Sequence, residues 1–116
     1  MAGSDMSEKL KKLQDGDFAK MVVESGKPAV VDFWATWCEP CKRLDQVLED
    51  IAEKYNGLIS FYRVDVNESQ QTINRYSIRS IPTLLFFHEG EIVDHVIGAV
   101  AREEIEKKIE NILRYA

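Results

Sequence analysis

The stretch Ala29-Val30-Val31-Asp32-Phe33-Trp34-Ala35-Thr36-Trp37-Cys38-Glu39-Pro40-Cys41-Lys42 decides how this chain folds. Ala29 to Trp34 is apolar apart from Asp32, the pattern of a short strand covered on both faces. Pro40 suits the first turn of a helix, where its missing N–H breaks no intrahelical bond. Beyond it Leu44, Val47, Leu48, Ile51, Ala52 and Tyr55 recur at helical spacing, predicting one long amphipathic helix ended by Asn56-Gly57. Both cysteines of the chain therefore sit where a buried strand turns into a helix.

Two cysteines separated by two residues can close on each other and exchange two electrons with no cofactor. At the helix N-terminus the Cys38 sulfur meets free backbone N–H groups and the positive end of the dipole, which favours thiolate. Cys41, about one turn further in, is expected to be more buried and less acidic. Cys38 then attacks a substrate disulfide and Cys41 resolves the mixed disulfide; run backwards, the same steps oxidise a dithiol. Asp32 is an anomaly among apolar neighbours. A buried acid near Cys41 can take the resolving thiol's proton and return it in the reverse direction. Glu39 suits a helix start but disfavours a neighbouring thiolate, which tilts the pair toward reductant. Trp37, exposed beside Cys38, reads as an apolar docking patch. In Ser80-Ile81-Pro82-Thr83, a proline just before an apolar strand requires either a cis bond in a tight bend or an exposed strand edge.

Neither metal binding nor stapling accounts for the pair. Tetrahedral zinc needs four ligands, or three and water, and His88 and His95 stand apart in a predicted hairpin. A ring this small restrains little unfolded-chain entropy. No metal and no cofactor is expected.

Around this centre, Lys9 to Leu13 reads as an edge strand, and Asp17 as the cap of a short helix through Phe18, Met21, Val22 and Val23. Leu58 to Val66 alternates, Phe61 and Arg63 on one face and Tyr62 and Val64 on the other. Glu68 to Tyr76 is helical, with Ile73 and Tyr76 inward. Thr83 to Phe87 is an apolar strand, and His88-Glu89-Gly90-Glu91 turns it into Ile92 to Ile97. The last helix carries Ile105, Ile109, Ile112 and Leu113 on one stripe, with Glu103/Lys107 and Glu104/Lys108 as i,i+4 pairs. The order is β-α-β-α-β-α-β-β-α: an α/β domain whose central mixed sheet has helices on both faces.

The 116 residues make one domain over 6–116, with 1–5 resembling a vector-derived tail. A formal charge of -5 disfavours nucleic acid and anionic membrane surfaces as partners. No apolar run is long enough to span a bilayer. The polar start lacks a signal peptide's apolar segment, so a cytoplasmic monomer is expected.

Together these pieces resemble the thioredoxin family. The run from Asp32 to Lys42 is similar to its active-site segment, Val64-Asp65-Val66 to its third core strand, and Tyr76-x-Ile78-Arg79-x-Ile81-Pro82-Thr83 to its cis-proline segment. The likeness extends from about residue 8 to the C-terminus. It implies a thioredoxin fold, Cys38 as nucleophile, Cys41 as resolving thiol, Asp32 as buried proton carrier and a cis Ile81-Pro82 bond. It also implies a docking rim of Trp37, Ile81, Pro82, Ile97, Gly98 and Ala99 beside Glu39 and Pro40, and re-reduction by a flavin- and NADPH-dependent thioredoxin reductase. Trp34 and Arg63 are expected to support the site. Three positions depart from the family's usual residues: Glu39 for glycine, Arg63 for lysine near the buried aspartate, and Gln46 for a proline that commonly kinks the helix. Arginine cannot lose its proton, so Arg63 either holds Asp32 ionised or swings to solvent.

The leading function is reduction of protein disulfides. Two readings compete: a dithiol oxidase or isomerase in an oxidising compartment, and a thioredoxin-like adaptor whose thiols are incidental. The pair's potential separates the first two, and survival of complex formation after replacing both cysteines marks the third.

Overall fold

Strand β2 (Ala29–Trp34) lies at the centre of a five-stranded sheet, because its residues are apolar on both faces and so need cover on both. The computed structural model describes residues 9–115, and the proposed tail over 1–5 lies outside them. The sheet order is β1-β3-β2-β4-β5. Strands β1 (Leu10–Leu13) and β3 (Ser60–Asp65) run parallel to β2, while β4 (Thr83–His88) and β5 (Glu91–Ile97) close the other side as an antiparallel hairpin. The element order and mixed sheet are those read from the sequence.

Alternation along β2 divides the core. Val30 joins Phe61, Leu84 and Phe86 beneath helix α2 (Glu39–Lys54) and helix α4 (Arg102–Tyr115), which bring Leu44, Leu48, Ile51, Ile105 and Ile109. Val31 and Phe33 face the other way, against Phe18, Val22 and Phe87. That face is covered by helix α1 (Asp15–Phe18, continued as a π-helical stretch Ala19–Glu24) and by helix α3 (Gln70–Arg75). Phe18, Tyr76 and Phe87 interlock there with ring centroids 5.3–5.7 Å apart. Asp32 alternates onto the same face as Val30, and its side chain is buried there.

Several local expectations are corrected. Asp17 is not the cap of α1; that position is Gln14, whose backbone N–H donates to the Asp17 carboxylate at 3.4 Å. The helix through Phe18, Met21, Val22 and Val23 continues as a π-helical stretch Ala19–Glu24 that buries Val22 and leaves Met21 exposed. Leu58 is exposed and precedes β3, which starts only at Ser60, where the backbone pairs with Pro28 and Ala29. Lys108 turns from Glu104 to Asp94 at 3.0 Å, while Glu106 accepts from Arg102 and from Lys54 of α2. The α4 charges therefore tie the helix to its neighbours more than to itself.

Candidate redox site

Helix α2 starts at Glu39, with Cys38 as its N-cap in extended conformation and Pro40 in the first turn. Cys38 and Cys41 form a disulfide, Cα to Cα 5.3 Å, and the Cys38 Sγ accepts the Cys41 backbone N–H at 3.2 Å. This is the anion-favouring position expected at a helix start: an extra electron pair on Cys38 finds an N–H already aimed at it. Both sulfurs are buried in this oxidised form, among Ala35, Trp34, Val66 and Ile81. The Glu39 carboxylate points to water and meets Lys42 at 3.3 Å, an exposed pair that carries little energy.

Trp37 stands 66% exposed beside the disulfide, and Ile97 is 60% exposed. Between them lies the cis peptide Ile81-Pro82. The Pro82 carbonyl accepts the Gly98 N–H at 2.8 Å, so the end of β5 is bound to the proline. Gly98 has φ +92°, a conformation that glycine alone adopts freely, and Ala99 is exposed after it. Of the alternatives the sequence left for Pro82, the cis bond holds.

The buried wall behind Cys41 is less expected. Asp32 is 1% exposed, and neither carboxylate oxygen has a hydrogen-bond partner. Burial first, then repulsion from Asp45, pushes its pKa up to about 8, with Arg63 pulling the other way. Arg63 is Asp32's direct neighbour in the β2–β3 register. Its guanidinium neither pairs with Asp32 nor swings to solvent: Nη2 donates to Asp45 Oδ2 at 3.1 Å, and Cζ lies 4.4 Å from the centre of the Trp34 ring. Asp45 was not among the residues singled out from the sequence. Its signal was position: it follows Cys41 by four residues, so it projects from the same side of α2. Five of the six buried polar side-chain atoms without a partner among the described residues belong to Asp32, Trp34, Asp45 and Arg63.

A thioredoxin family model matches residues 9–111. The chain is 44% identical over 101 residues to "Thioredoxin M4, chloroplastic" of Arabidopsis thaliana, covering 87% of this chain and 52% of that protein. It is 41% identical over 99 residues to "Thioredoxin 1" of a Nostoc species, covering 85% and 92%. It is 40% identical over 105 residues to "Thioredoxin 2" of Chlorobaculum tepidum, covering 90% and 96%. The chain thus spans about half the length of the Arabidopsis relative and nearly all of the two bacterial ones. With a family model matched over residues 9–111, relatives at about 40% identity, a disulfide at a helix start and a cis Ile81-Pro82 bond, this chain belongs to the thioredoxin family.

Proposed function

We propose that this chain is a protein disulfide reductase cycling between the Cys38/Cys41 dithiol and disulfide. The observation that carries the reading is a disulfide at a helix N-cap, flanked by an exposed tryptophan and a cis-proline. In the reduced protein the Cys38 thiolate attacks one sulfur of a substrate disulfide, forming a mixed disulfide and expelling the first substrate thiolate. Asp32 accepts the Cys41 proton, and the resulting thiolate attacks Cys38 Sγ, expelling the second. The substrate leaves as a dithiol with two electrons gained, and the protein leaves as the disulfide described here. Trp37, Ile81, Pro82, Ile97, Gly98 and Ala99 form the rim that docks an extended substrate segment, with Glu39 and Pro40 at its edge.

The pair is restored by an external dithiol, in the cell a thioredoxin reductase. The working compartment is a reducing one, the cytoplasm or a plastid; among the described residues no helix is long and apolar enough to cross a membrane. The acting unit is a monomer of the single domain over 6–116. Reduction of insulin by dithiothreitol, measured with the chain and with its Cys38→Ser and Cys41→Ser variants, tests the reading. Rapid turnover lost in Cys38→Ser, and a mixed disulfide that accumulates in Cys41→Ser, support it. A pair potential above roughly -200 mV with no insulin reduction points instead to an oxidase or isomerase.

A further inference from the structure

Three ionisable side chains are linked across α2 and the sheet: Asp45, one turn after Cys41 on α2, accepts from Arg63 on β3, and Arg63 is the register neighbour of Asp32 on β2. Asp45 and Arg63 are only 24% and 19% exposed, so their pairing is shielded from water far more than an ordinary surface ion pair. The pairing has a direction. Arg63 stands next to an aspartate with two unpartnered oxygens, yet its guanidinium is drawn toward the helix and laid on Trp34. Its Nε remains buried without a partner, so the geometry is not the one that satisfies the most hydrogen bonds.

We propose that Asp45 is a positioning residue for the redox cycle: by anchoring Arg63 against α2 and Trp34 it keeps the guanidinium from closing on Asp32, and so sets the pH at which Asp32 exchanges a proton with Cys41. This rests on the reductase reading above for its catalytic consequence and on the side-chain geometry for its cause.

The surroundings leave few other groups to do this. On β4 the register neighbour of Asp32 is Leu84, itself paired with Val96 of β5, and the core on this face includes Ile105 and Ile109 of α4. The charges of α4 nearest the core, Arg102 and Glu106, are paired with each other and with Asp50 and Lys54. Glu49, one turn beyond Asp45 on α2, has its pKa raised first by burial, then by Asp45, with Arg63 opposing and Asp50 adding; it does not act on Asp32. Beyond burial, which raises its pKa most, Asp32 feels one anion, Asp45, and one cation, Arg63, and Asp45 bears on both. Removing it deletes a repelling charge and releases an attracting one; the two effects have the same sign.

The test uses the oxidised full chain. The titration of the Asp32 carboxyl is followed by carbon-13 NMR in the unaltered chain, Asp45→Ala, Asp45→Asn, Arg63→Met and the Asp45→Ala/Arg63→Met double variant. The Asp32 midpoint is expected to fall by about one pH unit or more in Asp45→Ala, the size of effect an opposite charge has at contact range. Asn, which keeps an acceptor for Arg63 but no charge, should fall between. Removing Arg63 should raise the midpoint, and the double variant should lie above Asp45→Ala, at or slightly below the starting value, because the repulsion it removes is the larger of the two charge effects. An Asp32 midpoint unchanged or raised in Asp45→Ala overturns the proposal.

The rate of insulin reduction against pH supplies the catalytic half. Its limb should move down with the NMR midpoint while KM stays within about twofold, since Asp45 is no part of the docking rim. A shifted midpoint with an unmoved rate profile also overturns the proposal, because proton exchange with Cys41 would then not depend on Asp45. If the unaltered chain fails to reduce insulin, the reductase reading fails by itself, and the titration still decides whether Asp45 governs Asp32.

Discussion

Asp32 and Arg63 are direct neighbours across the β2–β3 pairing, yet the arginine donates its hydrogen bond to Asp45, 18 residues earlier in the chain, and leaves both oxygens of Asp32 unpartnered. A buried carboxyl with its pKa raised to about 8 populates both forms around neutral pH: the majority acid form can give a proton, and the ionised fraction can take one from Cys41.

This has a consequence for stability. Folded Asp32 keeps its proton up to about pH 8, whereas the unfolded chain releases it near 3.8. Folding therefore takes up a proton between those values, and stability falls as pH rises through the window. Asp32→Asn should remove that slope and stabilise the oxidised chain at pH 8, by about 2–4 kcal/mol against a ceiling near 5 kcal/mol. The same variant should slow insulin reduction. Urea unfolding at pH 5 and pH 8, in parent and variant, measures the slope directly.

Trp37 offers its ring to solvent, so it contributes little to the fold and much to any docked partner. Trp37→Ala should leave the melting temperature within a few degrees of the parent. It should cost about tenfold in kcat/KM for insulin, roughly 1.4 kcal/mol, mostly through KM. Oxidation by a small disulfide, which needs no docking surface, should change much less.

Asp15 closes a different gap. Ser69, at the head of α3, makes no side-chain cap bond; the orphan N–H groups of Gln71 and Thr72 donate instead to the Asp15 carboxylate at 3.1 and 3.0 Å, joined by the Thr72 hydroxyl at 2.7 Å. Desolvation pushes the Asp15 pKa up, but these bonds outweigh it and hold the group below 3.8. Its stabilisation is therefore present above that pH and lost as pH falls through the folded value. Asp15→Ala should cost about 1 kcal/mol at pH 7, with the difference narrowing in acid, as read by chemical denaturation.

Gly90 completes the β4–β5 turn with φ +80°, after Glu89 at φ +55°. A Cβ there would lie 2.8 Å from the backbone oxygen of Val23, which cannot rotate away. Gly90→Ala should destabilise the chain by about 1–3 kcal/mol through strain and clash together. Thermal unfolding is the measurement, and redox turnover below the transition should be unaffected.

The local part of this protein was legible in its sequence because short-range rules govern it. Pro40 after Cys38 marks a helix start, the apolar run around Asp32 marks a central strand, and His88-Glu89-Gly90-Glu91 marks a turn. Each depends on residues within a turn or a strand of one another, and each is where it was expected. Two expectations gave way: the α1 cap is Gln14 and not Asp17, and a tertiary partner, Asp94, takes Lys108 from Glu104. What only the tertiary structure decided is which distant groups meet. Asp45 on α2 and Asp15 at the start of α1 drew no attention in the sequence, since spacing carries no record of a partner 18 or 57 residues away. The folded sheet brings Arg63 under α2 and α3 against Asp15; at the first burial and charge, and at the second hydrogen bonds, decide where a proton resides.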